Sequence, residues 1–419
     1  MRDHPAIISI TGTKGKSTVT YLLADILRRY GENVLRVDTT GYYINGEQKG
    51  TLESSKRIAR LVPTVCPGRF LTAMEQTEHF TAVLECSIGC SNPPGLGYYR
   101  HSVGIFTNVF EDHLGSTSRL KTQADIAQAK SFIFSRLESN GTAVFNADDA
   151  HVCSKLPLLP KTAQLIPCGL DFSAFDLPAH LKEGGMAITY VDGVVVCRTA
   201  AGDEPLFAVK DVLWTFGGAF MPSVLNSMYI AGGLLGHFGG KVPAKVWELL
   251  KESRLDPYGG RLTVLRAKNG ATVLADYAHE KTSLVSVAGL ARHLAGTDGR
   301  VIGVVRLAYD RTDDLIKQTA EVIAPHFDEF VVYDKIDGHW RKPVPTDGRF
   351  TMVVGRISDI LASTIKQYNP NVTRIVREDE AIAHAAELAG PDDVVVVIVN
   401  DNIRRSIEFI KESFNATFM

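Results

Sequence analysis

The chain has 419 residues, 45% hydrophobic and 22% charged, a globular balance that at this length implies two or three domains rather than one. A formal net charge of −2 and a pI near 6.6 exclude the bulk electrostatic pull on which nucleic-acid and anionic-membrane binders depend, and no apolar run reaches the roughly 18 residues of a membrane span. Six cysteines, Cys66, Cys86, Cys90, Cys153, Cys168 and Cys197, are scattered without a CxxC pair, as expected of a reduced, cytoplasmic protein. Cys86 and Cys90 are four apart, but no second pair or nearby His completes the four ligands of a zinc site. The opening Met-Arg-Asp-His-Pro lacks the character of a signal peptide, so no leader is expected.

In chain order, Ile7–Ile10 reads as a short buried strand followed by a Gly-rich turn. From Ser17 to Tyr30, Val19, Leu22, Leu23, Ile26 and Leu27 share one helical face, with Gly31 where a C-cap belongs. Further strands are expected at Asn33–Val37, Thr81–Leu84, Val103–Phe106 and Thr142–Phe145, alternating with helices. That alternation predicts an α/β fold with a parallel sheet. Met186–Val191, Gly193–Cys197 and Glu204–Val209, joined by tight turns, predict a small antiparallel β excursion. An apolar helix at Val224–Phe238 and a basic helix follow, and Asp256–Gly260 has linker composition. A second α/β pattern then begins, with strands at Val273–Ala275, Val301–Val305, Glu329–Tyr333, Arg374–Val376 and Val394–Val399 and helices at Asp313–Ile323 and Glu378–Ala389. The expected division is residues 1–255, a parallel-sheet domain, and residues 256–419, a Rossmann-like domain.

The strongest chemical signal is Thr11-Gly12-Thr13-Lys14-Gly15-Lys16-Ser17-Thr18, set between a strand and a helix. Phosphate oxygens need closely approaching backbone N–H donors, which glycine permits, and a helix N-terminus adds partial positive charge. Lys16 is expected on the β- and γ-phosphates of a nucleotide, and Ser17 or Thr18 on Mg²⁺. Ile10 stands where the general P-loop pattern has its first glycine, so the loop is the variant Gly-Thr-x-Gly-Lys-Ser-Thr.

That variant resembles the phosphate loop of Mur ligases, and further segments follow in the family's order. Val83-Leu84-Glu85 resembles the strand end whose glutamate binds a second Mg²⁺. Thr107-Asn108-Val109-Phe110-Glu111-Asp112-His113-Leu114 is similar to the segment whose histidine serves a metal. Lys130, seventeen residues beyond His113, falls where the family carries a carbamylated lysine, an anionic oxygen ligand suited to Mg²⁺. Asn146-Ala147-Asp148-Asp149 matches another family segment. In the second half, Gly260-Arg261 resembles the element whose arginine contacts nucleotide phosphate, Asp276-Tyr277-Ala278-His279 matches a strand-end motif, and Asp310-Arg311 resembles the element after the next strand.

Within the Mur superfamily the resemblance is strongest to the Mur-ligase-like half of cyanophycin synthetase. It is carried by Asp38-Thr39-Thr40-Gly41-Tyr42-Tyr43-Ile44-Asn45-Gly46, Glu111-Asp112-His113-Leu114-Gly115 and Thr215-Phe216-Gly217-Gly218, and covers nearly the whole chain. No counterpart is expected of that enzyme's ATP-grasp portion or of the UDP-sugar domain of peptidoglycan ligases. The chain departs from the family at Lys14, at Ser223 (Asn226 retains the next asparagine of the segment that cups adenine), at Glu280-Lys281 and at Arg306-Leu307-Ala308-Tyr309, where a small glycine-containing run is usual. The last change predicts a reshaped acceptor pocket.

The resemblance implies an ATP-dependent ligase that activates a carboxylate as an acyl phosphate and couples it to an amine. ATP is expected on Gly12, Thr13, Lys14, Gly15, Lys16, Ser17 and Thr18, with Asn226, Arg261, Asp276 and His279 completing its site. Mg²⁺ is expected on Ser17, Glu85, His113 and carbamylated Lys130, and catalysis on Lys16, Lys130 and His113. A peptidic acid and an amino acid are the expected substrates, with acidic Glu280, Asp313 or Asp314 favouring a basic amine if they line its pocket. A homo-oligomer and a separate ATP-grasp partner are compatible with the resemblance. Two alternatives stand beside it: a folylpolyglutamate-type ligase, against which Lys16-Ser17-Thr18 argues, and a nucleotide-binding regulatory or scaffold subunit that has lost catalysis.

Overall fold

The computed structural model describes residues 5–51, 62–77, 79–110, 119–308, 311–334 and 354–419. The chain divides into two compact units, Met1–Arg254 and Leu255–Met419.

In the first unit the described residues form an eleven-stranded sheet. Its strands are β1 (Ala6–Thr11), β2 (Val34–Asp38), β3 (Gly41–Ile44), β4 (Glu47–Thr51), β5 (Thr81–Glu85), β6 (His101–Phe106), β7 (Leu137–Asn146), β8 (Gln164–Cys168), β9 (Ala187–Val191), β10 (Val194–Thr199) and β11 (Gly202–Ala208). The order is β11-β10-β9-β8-β7-β6-β1-β5-β2-β3-β4. Strands β2 to β9 of that order are parallel, and each edge is finished by antiparallel hairpins. The antiparallel excursion expected from the sequence is therefore an extension of the main sheet, joined through the pairing of Cys168 with Ile188.

Strand β1 is buried along almost its whole length, which its unbroken apolar run requires of a central parallel strand. The chain leaves it for β2 on one side, then returns through β5 to β6 on the other. This reversal opens a crevice at the carboxyl end of β1, where parallel α/β sheets bind their ligands. The helix Lys16–Tyr30 packs Val19, Leu22, Leu23, Ile26 and Leu27 into the core and ends on Gly31, whose φ of 113° lets its N–H reach the Arg28 carbonyl at 3.0 Å. The helix Met221–His237 is buried on most of its surface, and it lies so close to the sheet that a Cβ on Gly232 would stand 2.7 Å from Val144 Cγ1.

The second unit holds a seven-stranded sheet among the described residues, in the order β16-β15-β14-β17-β13-β12-β18. The strands are β12 (Thr263–Arg266), β13 (Thr272–Asp276), β14 (Val301–Val305), β15 (Glu329–Val332), β16 (Val372–Arg374), β17 (Val394–Ile398) and β18 (Thr417–Phe418). Strands β13 to β17 are parallel, whereas β12 and β18 are antiparallel to their neighbours. The strand expected at Arg374–Val376 lies two residues earlier, because Phe330 and Val332 pair with Val372 and Arg374. The helices Lys281–Ala295, Asp313–Ile323, Arg356–Ile365, Glu378–Leu388 and Ile403–Phe414 complete the unit.

Candidate active site

The turn after β1 is held in its shape from outside. Thr13 N–H donates to the Asn108 carbonyl at 2.9 Å and Lys14 N–H to Asn108 Oδ1 at 2.8 Å. The Lys14 carbonyl accepts from Thr107 Oγ1 at 2.6 Å and from Asn108 Nδ2 at 3.2 Å. Thr107 is in turn fixed by the buried Tyr229 hydroxyl, which donates to its carbonyl at 2.8 Å. Thr107 and Asn108 thus brace the glycine loop.

Two glycines leave the loop no room for a side chain. Gly12 has φ 141°, and a Cβ there would stand 2.0 Å from Thr107 Oγ1. Gly15 has φ 85°, and its Cβ would stand 2.3 Å from Asn226 Oδ1, which places Asn226 directly against the loop. Gly15 is also the N-cap of the helix Lys16–Tyr30, which has neither a side-chain cap nor an acid in its first turn. The partial positive charge of that terminus is therefore left for an anion. Lys16 Nζ donates to the Thr13 carbonyl at 2.9 Å, folded against the loop it serves.

Beside the loop, oxygens from three separate elements fall in line. Thr39, just past β2, donates from Oγ1 to Glu85 Oε2 at 3.3 Å, and Ser17 Oγ lies 3.3 Å from the same Thr39 oxygen. Glu85 closes β5 and is buried. Its position is set by the pairing of Ile10 with Glu85 and by Cys86 N–H donating to the Ile10 carbonyl at 2.8 Å. The turn presenting Thr39 is fixed by Asp38, which accepts from Thr40 N–H at 2.8 Å and lies 2.9 Å from Arg36 Nε. A carboxylate and two hydroxyls are hard oxygen donors of the kind Mg²⁺ prefers, so the residues present fit that ion. Among the described residues no group of three or more His, Cys, Asp or Glu that could hold a metal ion is gathered.

Lys130 ends the helix Gln123–Lys130, which opens with a capping box between Thr122 and Asp125, and it is only 3% exposed. Hydrogen bonding to Cys86 and burial push the Cys90 thiol far up, while the Lys130 charge acts in the opposite direction. Lys130 therefore lies within electrostatic reach of the loop that follows Glu85. A cavity of about 510 Å³ adjoins it, lined in part by Cys90, Tyr98, Gln128, Ser131 and Arg136. His113 lies outside the described residues, as does the rest of 111–118. Asn146-Ala147-Asp148-Asp149 has an architectural part: Asp149 accepts from Val109 N–H at 2.7 Å, and Asp148 from Leu170 and Phe172 N–H, each at 2.7 Å.

In the second unit, Asp276 spends both oxygens on backbone, accepting from Leu262 N–H at 2.9 Å and Ala278 N–H at 2.8 Å. It thereby shapes the turn that carries Arg261. The Arg261 guanidinium lies 4.9 Å from the Tyr277 ring centre. His279 donates from Nδ1 to the Tyr277 carbonyl at 2.8 Å. Asp310 lies outside the described residues, whereas Arg311 is buried and its carbonyl accepts from Arg356 at 3.2 Å. Sequence reasoning gave no role to Thr39, although it lies within a quoted segment, or to Tyr229, which carries no local signal at all.

A braced glycine turn at the switch point of a parallel sheet, next to a line of oxygen donors, has the form of a phosphate-binding loop. The chain belongs to the Mur ligase family: residues 10–168 match the Mur ligase middle domain and residues 260–398 the Mur ligase, glutamate ligase domain. It is 28% identical to the cyanophycin synthetase of Nostoc sp. over 97% of this chain and 42% of that protein. It is 26% identical to the UDP-N-acetylmuramoyl-L-alanyl-D-glutamate–2,6-diaminopimelate ligase of Phocaeicola vulgatus over 93% of this chain and 72% of that one. The chain thus spans about two fifths of the cyanophycin synthetases it matches. In fold it resembles E. coli FolC in complex with DHPP and ADP, with a TM-score of 0.66 at 16% identity over 98% of this chain and 90% of that one. It also resembles a pseudomurein peptide ligase type C from Methanothermus fervidus, with a TM-score of 0.61 at 15% identity over 98% and 79%. No helix among the described residues is long and apolar enough to cross a membrane.

Proposed function

We propose that this chain is an ATP-dependent amide-bond ligase, which converts a peptidic carboxylate to an acyl phosphate and couples it to an amino acid, releasing ADP and phosphate. The observation that carries the reading is the line Ser17–Thr39–Glu85 beside the loop Gly12–Thr18. A divalent ion held by Ser17 and Glu85, with His113 and a carbamylated Lys130 as further ligands, would neutralise charge on the transferred phosphoryl group. The Gly12–Lys16 backbone and the uncapped helix terminus bind the phosphates, and the Lys16 ammonium follows negative charge as it develops in line. Asn226 flanks the loop on the side expected to cup the base. The amine attacks the acyl carbon, and the tetrahedral intermediate collapses to amide and phosphate. Six unpaired thiols agree with a reducing cytoplasmic setting.

The test is phosphate release from Mg²⁺-ATP across a panel of acidic peptides and amino acids, comparing the wild-type chain with Lys16→Ala. One acid–amine pair is expected to raise release, and Lys16→Ala to lower it by about 10²–10³-fold. ATP binding without release by any pair would instead favour a scaffold role.

A further inference from the structure

Arg36 lies in the middle of β2 and is buried, with the buried Asp38 two residues further on. Side chains two apart on a strand share a face, and this pair closes at 2.9 Å from Arg36 Nε to Asp38 Oδ2. Directly across the β2–β3 pairing stands Tyr43, whose ring centre is 3.7 Å from the guanidinium carbon. A second ring approaches from the helix Lys16–Tyr30: that of Tyr21, with its centre 4.7 Å from the same carbon. Two aromatic rings thus hold one planar cation.

These contacts form a closed circuit around the turn that carries Thr39. Asp38 Oδ1 accepts from Thr40 N–H at 2.8 Å and from Thr40 Oγ1 at 2.5 Å. The Thr40 hydroxyl has spent its one proton there, so the Tyr43 hydroxyl, 2.7 Å away, donates to Thr40 Oγ1. From Thr40 the path returns through the Tyr43 ring to Arg36. Thr39 stands between the two residues that the circuit pins. Its own hydroxyl takes no part in the circuit and meets Ser17 Oγ and Glu85 Oε2, each at 3.3 Å.

Ser17 and Tyr21 are four apart on their helix and so share a face. That face meets the end of β2 twice, Ser17 against Thr39 and Tyr21 against Arg36. Arg36 therefore ties the helix that begins in the phosphate loop to the turn beside it. A buried ion pair adds little net stability, because desolvation offsets its attraction. What a planar cation held between two rings does supply is a fixed place for Asp38.

We infer that Arg36 is a positioning residue for the divalent ion: through Asp38 and Thr40 it sets the Thr39 hydroxyl on the line Ser17–Thr39–Glu85. The inference rests on the metal assignment within the proposed function. Arg36 acts only through the turn, so its removal weakens the metal's contribution to nucleotide binding and leaves the phosphate loop's own contacts in place.

The experiment titrates the intact chain with a non-hydrolysable ATP analogue by calorimetry, in excess Mg²⁺ and again in EDTA. Metal-dependent and metal-independent affinity are then read separately, and wild type is expected to gain affinity from Mg²⁺. Arg36→Met should cut that gain about three- to tenfold and leave the affinity in EDTA within about twofold. Arg36→Lys keeps the ion pair but not the stacking plane, and should retain part of the gain. Tyr43→Leu, at a half-buried position, should give the same selective loss, and it decides the matter if Arg36→Met does not fold. In a Thr39→Val background Arg36→Met should add less than about twofold, because its effect passes through Thr39. Equal losses with and without Mg²⁺, an undiminished gain in a folded variant, full additivity with Thr39→Val, or unfolding of both Arg36→Met and Tyr43→Leu would each overturn the inference. Wild-type binding indifferent to Mg²⁺ would overturn the metal assignment and the inference with it. Failure of every acid–amine pair to raise phosphate release would instead overturn the ligase reading and leave this binding result standing.

Discussion

The Thr39 hydroxyl lies 3.3 Å from the Glu85 carboxylate, joining two neighbouring strand ends at the point where Ser17 enters from the phosphate loop. Without Thr39 the described contacts offer no link between Ser17 and Glu85. Thr39→Val keeps the shape and removes the hydroxyl. Loss of a hydrogen bond to a charged group is expected to lower kcat about ten- to hundredfold and to raise the Mg²⁺ concentration needed for half-maximal phosphate release. Thr39→Ser should restore both. A Mg²⁺ titration of Thr39→Val that overlays wild type would remove Thr39 from the site.

Gly15→Ala should damage nucleotide binding more than folding. The residue sits at φ 85° with its missing Cβ 2.3 Å from Asn226 Oδ1. The backbone conformation costs about 1–2 kcal/mol with any side chain, while the clash displaces Asn226 or the loop. ATP affinity measured by calorimetry should fall at least about tenfold, with a modest drop in Tm. Wild-type affinity would show that the loop can be rebuilt around a methyl group.

His101 predicts an acid-labile fold. It is fully buried, its Nε2 donates to the Ile133 carbonyl at 2.8 Å, and burial pushes its pKa down from 6.5 to about 4. The unfolded chain binds a proton below pH 6.5 that the folded chain refuses until about pH 4. Stability is therefore at its full value above pH 6.5 and falls as the pH drops through this window, by about 3 kcal/mol from this group. Urea unfolding between pH 4 and 7.5 should show that slope, and His101→Gln, which keeps a donor for Ile133, should flatten it. Parallel pH profiles for the two proteins would refute the assignment.

Three of the thiols should be inert in the folded chain. Burial pushes Cys168 far up and Cys153 to about 12, and contact with Cys86 and burial raise Cys90. Because the thiolate is the nucleophile, iodoacetamide at pH 8 is expected to leave these three unmodified until denaturant is added. Mass spectrometry after a short exposure checks this, and rapid alkylation of Cys90 would show that the adjacent cavity admits the reagent to an ionised sulfur.

Which parts of the site could be read in advance follows from how each is built. Gly12–Thr18 was legible because a phosphate loop is one contiguous segment whose chemistry depends on local backbone, and Gly31 marked the end of its helix for the same reason. Glu85 is proposed through resemblance alone, since a carboxylate at a strand end is usually only solvated. Thr39 went unassigned because its meeting with Ser17 and Glu85 depends on β5 lying between β1 and β2, a strand order that no local pattern encodes. The antiparallel strands after β8 were recognised, but not that they continue the main sheet, because strand pairing across a connection is a long-range choice.

By itself, then, the sequence determined the alternation of strands and helices and the glycine turn between the first strand and its helix, which arise from periodicity and backbone chemistry within a few residues. The tertiary structure alone decided that Tyr229 and Asn108 brace the loop, that Asp276 shapes a turn with both oxygens, and that Arg306 is wholly buried. Burial and pairing are set by which distant segments pack together, and a charged residue in a sequence carries no mark of whether water or protein will surround it.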